Sequence, residues 1–346
     1  MVKKTSSFIK NGLENQVWTL TNKNGCSMQM TNYGARIISL IVPDKNGNLS
    51  DVIVGAKNPA DYYDIRDYFG ATVGRCCNRI EDGKFTLNGT PYQVEINQNG
   101  NCLHGGKTAS FDRAIWQARA IGETLRFTLF SEDGASGFPG NMKVTADYTL
   151  TDENSVVFEV TATSDKDTLC NLTQHSFFNI GDDQTVLDQL LTIDADKITP
   201  VDERLLCHGD FLNVDNTPFD FRTPKRVGQD IFSNHPITSR SRGYDINFCI
   251  NRKSERDLEH CATLFDQKSG RVLECWTTLP GLQIYTTNGD KVFETFEGKK
   301  PYVKHCAICL ETQFFPNSPN CPNYPSVVLK KGEVFHHKTI YKFLVK

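Results

Sequence analysis

Apolar and polar residues alternate with a period of two along much of the chain, which is the pattern of a half-buried β-strand. LRFTLF (125–130) and FEVTAT (158–163) both show it, and VTADYTL (144–150) lies between them. The connecting segments, 134–141 and 151–154, are short and rich in glycine or polar residues. The pattern therefore predicts an antiparallel meander in this part of the chain.

Turn signals extend the β prediction to the whole chain. Asn-Gly, the strongest short hairpin signal, occurs six times, with its asparagine at Asn11, Asn24, Asn46, Asn88, Asn99 and Asn288. Helical signal is thin and suggests only a turn or two at 58–70 and another at 223–232. No repeat of 20–50 residues supports a propeller or solenoid. We predict an all-β fold: a single large antiparallel β-sandwich domain over residues 1–346, with few short helices.

The stretch NLTQHSFFNI (171–180) carries an unusual strand face. Period two places His175 on one face with two asparagines, a threonine and a phenylalanine. This face is neither charged like a solvent face nor aliphatic like a core face. It is typical of the lining of a wet cleft.

Three later strands share this character. Asp245 in GYDINFCI, Gln283 in GLQIYTTN and Glu311 in AICLETQFF each lie opposite a face of apolar residues. Side by side in one sheet, such strands would form an open polar groove with aromatic walls, which suits a carbohydrate. Taken singly, each face could instead be an ordinary solvent face.

Bulk properties narrow the class of partner. The 346 residues carry a net charge of −3, with 38% hydrophobic and 23% charged residues. This balance gives no electrostatic reason to expect a nucleic acid or an anionic membrane as a partner. The N-terminus has no apolar segment behind its lysines, and the apolar stretch IISLIV (37–42) is far too short to span a membrane. We expect a cytoplasmic protein, a monomer or weak dimer, that binds a small polar molecule.

The twelve cysteines do not form a metal-binding pattern. Cys306 and Cys309 make an isolated C-x-x-C whose sulfurs would point to opposite faces of a strand. Reduced thiols that act as small hydrophobic groups are the expectation, with no disulfide, metal or cofactor. His336 and His337 are adjacent and would also point apart, so we expect these and the remaining histidines at 208, 235, 260 and 305 to be structural.

Two loops add candidate site groups. Asn78 and Arg79 lie in VGRCCNRIEDGKF, and His104 lies in NCLHGGK. An arginine can donate paired hydrogen bonds to vicinal hydroxyls. Taken singly, Arg79 is more often a surface arginine and His104 a turn histidine.

These motifs together resemble the aldose 1-epimerase family, the galactose mutarotases. The ordered set NRIEDGKFTLNG, LHGGK, NLTQHSFFNIG, GYDINF, LPGLQIYT and LETQFFPNSPNCPNYPS runs from about residue 30 to the C-terminus. LHGG is a weak signal, but the ordered set is specific. The resemblance implies a large antiparallel β-sandwich with an open sugar cleft.

The resemblance implies that His175 is the general acid and Glu311 the general base. Ring opening of a hemiacetal removes a proton from the C1 hydroxyl and delivers one to the ring oxygen, so the two groups would act from opposite sides of the ring. His175 would then need a pKa near neutrality. The resemblance also implies sugar-binding roles for Asn78, Arg79, His104, Asp245 and Gln283. The expected reaction is interconversion of the α and β anomers of free hexoses such as galactose and glucose.

The sequence departs from the family pattern at Ser110, Ile246 and Cys207, and these positions could tune the sugar preference. Two other enzyme classes are weaker alternatives. A glycosidase would use Asp245 and Glu311 as a carboxylate pair but leave His175 without a role. A sugar-phosphate epimerase would need cationic groups beyond Arg79. A non-catalytic sugar-binding protein is the third alternative.

Overall fold

A computed structural model describes residues 1–65, 67–255, 257–290 and 300–346 of the chain. Strands dominate it, and they are numbered here in chain order. The first five form one sheet in sequential order: β1 (Val2–Lys10), β2 (Leu13–Thr21), β3 (Ser27–Thr31), β4 (Arg36–Pro43) and β5 (Leu49–Asp51).

The largest sheet has nine strands. In spatial order they are β11 (Gln117–Ile121), β12 (Thr124–Ser131), β13 (Met142–Leu150), β14 (Ser155–Ser164), β28 (Val334–Val345), β24 (Arg271–Thr277), β23 (Glu259–Phe265), β18 (Leu190–Ile193) and β21 (Lys225–Arg226). The predicted meander is confirmed, because β12, β13 and β14 are consecutive antiparallel neighbours.

A six-stranded sheet carries the polar strands. In spatial order they are β17 (Phe177–Phe178), β26 (Ile308–Gln313), β25 (Gly281–Tyr285), β22 (Asp245–Cys249), β19 (Lys197–Thr199) and β20 (Leu212–Asn213). The remaining strands form pairs: β6 (Ala71–Val73) with β16 (Thr173–His175), β7 (Arg79–Ile80) with β10 (Cys102–Leu103), β8 (Lys84–Leu87) with β9 (Thr90–Gln93), and β15 (Thr168–Leu169) with β27 (Val328–Leu329).

The nine- and six-stranded sheets pack face to face. Phe127 and Tyr148 of the nine-stranded sheet share one buried apolar cluster with Ile246 and Phe248 of the six-stranded sheet. Between the sheets, the hydroxyl of Tyr341 donates a hydrogen bond of 2.7 Å to the carbonyl of residue 310. The predicted all-β sandwich is therefore confirmed, and the packing leaves the opposite face of β22, β25 and β26 to the cleft.

Helix is scarce among the described residues. One α-helix, α1 (Pro236–Ser241), is accompanied by 3₁₀ segments at Pro59–Tyr63, Glu81–Gly83, Phe111–Arg113, Ala135–Gly137 and Ser318–Asn320. The turn predicted within 58–70 is present. The helical turn predicted within 223–232 is wrong, because that segment holds the edge strand β21 and the helix starts four residues later. None of the described helices has the length and apolar character to span a membrane.

Five of the six Asn-Gly signals mark hairpin turns. Asn11, Asn88 and Asn99 adopt φ of 54°, 51° and 46°, and the following glycines are also left-handed, as the tightest hairpin turns require. The sixth, Asn288-Gly289, instead lines the cleft described below.

Candidate active site

A cleft of about 310 Å³ opens beside the polar strands and collects all seven predicted site residues. They come from separate parts of the chain: Asn78, Arg79, His104, His175, Asp245, Gln283 and Glu311. The sheet order explains this, since β22, β25 and β26 are neighbours and Gln283 lies directly across from Glu311. The predicted convergence of polar strand faces is confirmed.

The stretch 171–180 is buried on both faces, so it is not a half-exposed strand. It is broken at Ser176 into β16, which pairs with β6, and β17, which pairs with β26. The two short pairings place His175 and Phe177 against the cleft. The stretch contributes to the cleft lining as predicted, but its residues are buried rather than half-exposed.

His175 and Glu311 lie side by side at the bottom of the cleft. Nε2 of His175 is 3.5 Å from Oε2 of Glu311, and the two side chains are only 6% and 2% exposed. The expected placement on opposite sides of a sugar ring is therefore wrong for the free protein. An adjacent pair still suits the chemistry, because the ring oxygen and the C1 hydroxyl are bonded to the same carbon.

Burial reverses the charge states expected of this pair. It lowers the pKa of His175 to about 3, with the nearby Arg36 cation acting in the same direction. Burial, with the carboxylate of Asp245 nearby, raises the pKa of Glu311 well above its ordinary value. The expectation that His175 has a pKa near neutrality is wrong for the free protein. Burial therefore favours the neutral form of both side chains in the free protein.

Aromatic rings hold the imidazole of His175 in place. Phe177 is stacked on it at 5.1 Å between ring centroids, and Tyr68 is stacked at 5.8 Å. Tyr68 also contacts His104 at 4.4 Å. These rings cover the imidazole. Tyr68 was not identified from the sequence because its loop, DYFG, carries no strand or motif signal.

His104 is fixed as a neutral hydrogen-bond donor. Its Nδ1 accepts the backbone N–H of Asn78 at 3.1 Å, and its own backbone N–H donates to the Asn78 carbonyl at 3.0 Å. Since Nδ1 must carry a lone pair, the ring proton lies on Nε2. Burial accordingly lowers the pKa of His104 well below its ordinary value. Both residues adopt positive φ, 57° and 52°, to close this pair of bonds.

The tautomer of His104 also determines whether the cluster of His104, His175 and Glu311 could bind a metal ion. One ligand atom each from His104, His175 and Glu311 lies within 4.8 Å of the others, as in a metal site. A metal-bound histidine keeps its second nitrogen protonated to donate a hydrogen bond. In His104 the second nitrogen is an acceptor, so this donor set does not fit a metal ion.

Arg79 and Asp245 form a nearly buried ion pair in the same cleft. Nη2 of Arg79 is 3.3 Å from Oδ2 of Asp245, and the side chains are 8% and 13% exposed. Gln283 donates to the other oxygen of Asp245 at 2.6 Å, and Arg79 donates through Nε to Gln98 at 2.9 Å. Gln98 also lines the cleft and was missed, although it directly precedes the Asn99-Gly100 turn signal.

Two further arginines lie at the rim. Arg240 and Arg242, from α1 and the residue after it, line the cleft, so the expectation that Arg79 is its one cationic group is wrong. Each is paired with a carboxylate, Arg240 with Glu203 and Arg242 with Asp290. No sequence pattern distinguishes these arginines from ordinary surface residues.

The three departures from the family pattern lie away from the cleft lining. Ser110 is buried before a 3₁₀ segment, Ile246 belongs to the main apolar cluster, and the thiol of Cys207 contacts Thr199. Any effect of these residues on sugar preference would act through neighbouring side chains.

The other histidines have structural partners. His208 contacts Asp202, His235 caps α1, His260 contacts Thr263 and His305 contacts the carbonyl of residue 286. His336 and His337 point apart, to Glu159 and Thr278, as predicted. Both line a larger groove of about 650 Å³ beside β27 and β28, which contains none of the predicted site residues.

All twelve cysteines are free thiols.

Comparison with known proteins agrees with this architecture. Galactose mutarotase of Sus scrofa is 40% identical over 322 residues, covering 92% of this chain and 91% of that protein. The Escherichia coli aldose 1-epimerase is 31% identical over 350 residues and the full length of both. The crystal structure of galactose 1-epimerase from Lactobacillus acidophilus superposes with a TM-score of 0.86 at 28% identity, over 100% of this chain and 98% of that one.

The C. elegans aldose epimerase homologue gives a TM-score of 0.85 at 28% identity, over 94% of this chain and 98% of that one. The sequence model of the family described as aldose 1-epimerase matches residues 16–342. On this match and on the relatives' identity over most of its length, the chain belongs to the aldose 1-epimerase family.

Proposed function

We propose that this protein is an aldose 1-epimerase that interconverts the α and β anomers of free hexoses such as galactose and glucose. The observation that carries the proposal is the adjacent, buried pair of His175 and Glu311, which lines a cleft of about 310 Å³. Acid–base catalysis needs a donor and an acceptor within reach of the reacting oxygens.

Burial favours the neutral form of both groups in the free protein, so ring opening is preceded by transfer of a proton from the carboxyl of Glu311 to the imidazole of His175. In ring opening, the carboxylate of Glu311 takes the C1 hydroxyl proton and the imidazolium of His175 protonates the ring oxygen, while the C1–O5 bond breaks and C1=O1 forms. This leaves a neutral imidazole and a protonated carboxyl, which are the charge states that burial favours in the free protein. Rotation about C1–C2 and the reverse transfers close the other anomer.

The remaining five residues would hold and polarise the sugar. Asp245 can accept from hydroxyls while Arg79 and Gln283 hold it in place. His104 can donate through Nε2, since its Nδ1 accepts the backbone N–H of Asn78. Asn78 has its side-chain oxygen bonded to the backbone N–H of Arg79, which leaves its amide N–H groups for the substrate.

Polarimetry on freshly dissolved α-D-galactose and α-D-glucose tests the proposal. We expect faster approach to the same final rotation with the protein present. His175→Gln and Glu311→Gln should each lower kcat by about 10²-fold or more, the usual contribution of one acid–base group. His305→Gln is the matched control, because His305 is equally buried and lies outside the cleft lining.

Other kinetic results would contradict the roles assigned to His175 and Glu311 or support an alternative function. Near-normal kcat in His175→Gln would contradict its role as the acid. If Glu311→Gln raised only KM, Glu311 would bind sugar and another group would be the base. Hydrolysis of a nitrophenyl galactoside would support the glycosidase alternative, and sugar binding without acceleration would support the binding-protein alternative.

We also propose that the protein acts in the cytoplasm as a monomer or weak dimer. Cell fractionation and light scattering over a range of protein concentrations would test these two points independently of activity.

A further inference from the structure

A glutamine beneath the cleft has no direct access to the substrate. Gln313 lies two residues after Glu311 on β26, is 0% exposed, and is absent from the residues that line the cleft. Its side chain nevertheless lies on the same face of the strand as that of Glu311, because strand side chains alternate. It is therefore a fully buried neighbour of the cleft-lining groups.

Gln313 connects to the cleft through a continuous chain of hydrogen bonds. The thiol of Cys77 donates to its oxygen at 3.3 Å. Its amide nitrogen donates to Oε1 of Gln283 at 3.4 Å and to Oδ1 of Asn247 at 3.2 Å. Gln283 in turn donates to Asp245 at 2.6 Å.

The direction of every bond in this chain follows from the carboxylate at its end. Asp245 accepts from both Arg79 and Gln283, so Gln283 presents its nitrogen to Asp245 and its oxygen to Gln313. Gln313 must then present its nitrogen to Gln283 and its oxygen to Cys77. If the amide of Gln283 were flipped, its oxygen would face the carboxylate of Asp245. If the amide of Gln313 were flipped, its oxygen would face the oxygen of Gln283.

We propose that Gln313, oriented by the thiol of Cys77, is a positioning residue that holds Gln283 and Asp245 in their sugar-binding orientation. This inference rests on the proposed function, because Gln283 and Asp245 are substrate-binding groups only if the cleft binds sugar. It assigns a role to the last residue of the L-E-T-Q motif, which touches neither sugar nor the acid–base pair.

Gln313 contributes to sugar binding rather than to proton transfer. Without Gln313 the Oε1 of Gln283 loses its hydrogen-bond donor, so the side chain of Gln283 is held by Asp245 alone and its position in the cleft is less well fixed. His175 and Glu311 make no hydrogen bond to Gln313 and keep their geometry. We therefore expect a change chiefly in KM, with kcat within about threefold of the wild type, since uniform binding affects KM alone.

Anomer-exchange kinetics on galactose test this inference. Gln313→Met keeps the length of the side chain but removes both polar atoms, and we expect it to raise KM by about tenfold, the equivalent of one hydrogen bond. Gln189→Met is the matched control, since Gln189 is also a buried amide (1% exposed) bonded to an asparagine but lies outside the cleft lining. It should lower thermal stability and leave KM unchanged.

Cys77 provides a second test that does not depend on the stability of the Gln313 variant. Cys77→Ser keeps a donor for Gln313 and should retain the wild-type KM, whereas Cys77→Ala should raise it severalfold. An unchanged KM in both Gln313→Met and Cys77→Ala, with an active wild type, would overturn the positioning role. A wild type without anomer-exchange activity would instead contradict the proposed function itself.

Discussion

At His175 and Glu311, burial shifts the pKa of each side chain in the direction that favours its neutral form. The sequence identified both residues through the family resemblance, and it placed them correctly in one cleft. It could not predict their protonation, because a pKa depends on what the fold packs around the group. The stacked rings of Phe177 and Tyr68 are part of that environment.

The lowered pKa of His175 has a consequence for stability at acid pH. Its folded value of about 3 lies below the value near 6.5 of an unfolded histidine. Between the two values the unfolded chain binds a proton that the folded protein excludes, so the free energy of unfolding falls as pH falls below about 6.5. His175→Gln removes this linkage. When the pH is lowered from 6.5 to 4.5, its free energy of unfolding should therefore fall by about 2 kcal/mol less than that of the wild type.

Urea unfolding of both proteins at the two pH values measures this difference. His336→Gln serves as the control, because His336 has an exposed side chain and lines a separate groove. Equal losses of stability in wild type and His175→Gln would contradict the assignment of a neutral, buried imidazole.

Individual elements followed the local pattern wherever a turn or an alternation was strong. The hairpin at Asn11-Gly12 joins β1 and β2, and its asparagine adopts φ of 54°. The short helix α1 was missed because six residues are too few to show a helical period. Its identifiable signals are Pro236 at the first position and the cap from His235, which is an unusual capping residue.

The Asn11 turn gives a prediction at the scale of one hairpin. Asn11→Ala places an ordinary side chain at a left-handed position and should destabilise the hairpin by about 1 kcal/mol, whereas Asn11→Gly should not. Hydrogen exchange of the amides in β1 and β2 measures the effect locally. Equal protection in the two variants would contradict the strain at this turn.

Assembly of the whole molecule decides which strands become neighbours. Residues from the five-, six- and nine-stranded sheets contribute to one buried cluster, as Met28, Leu282 and Phe127 illustrate. We propose on this basis that residues 1–346 fold as a single domain. A shared core couples the sheets, so no sheet can lose its packing without exposing the others.

The expected result is one unfolding transition. Calorimetry should give equal calorimetric and van 't Hoff enthalpies, and loss of anomer-exchange activity should follow the same curve as loss of far-ultraviolet circular dichroism. Two separated transitions would contradict the single-domain proposal while leaving the proposed function unaffected.

The sequence by itself determined the all-β class, the meander, most hairpin turns and the identity of the seven candidate site residues, because alternation, Asn-Gly turns and motifs are local features of the chain. Only the tertiary structure decided that β22, β25 and β26 lie side by side, that His175 and Glu311 are adjacent rather than opposed, and that Gln313 supports the cleft from below. These features depend on long-range strand pairing and on burial. Neither is encoded within any single stretch of residues.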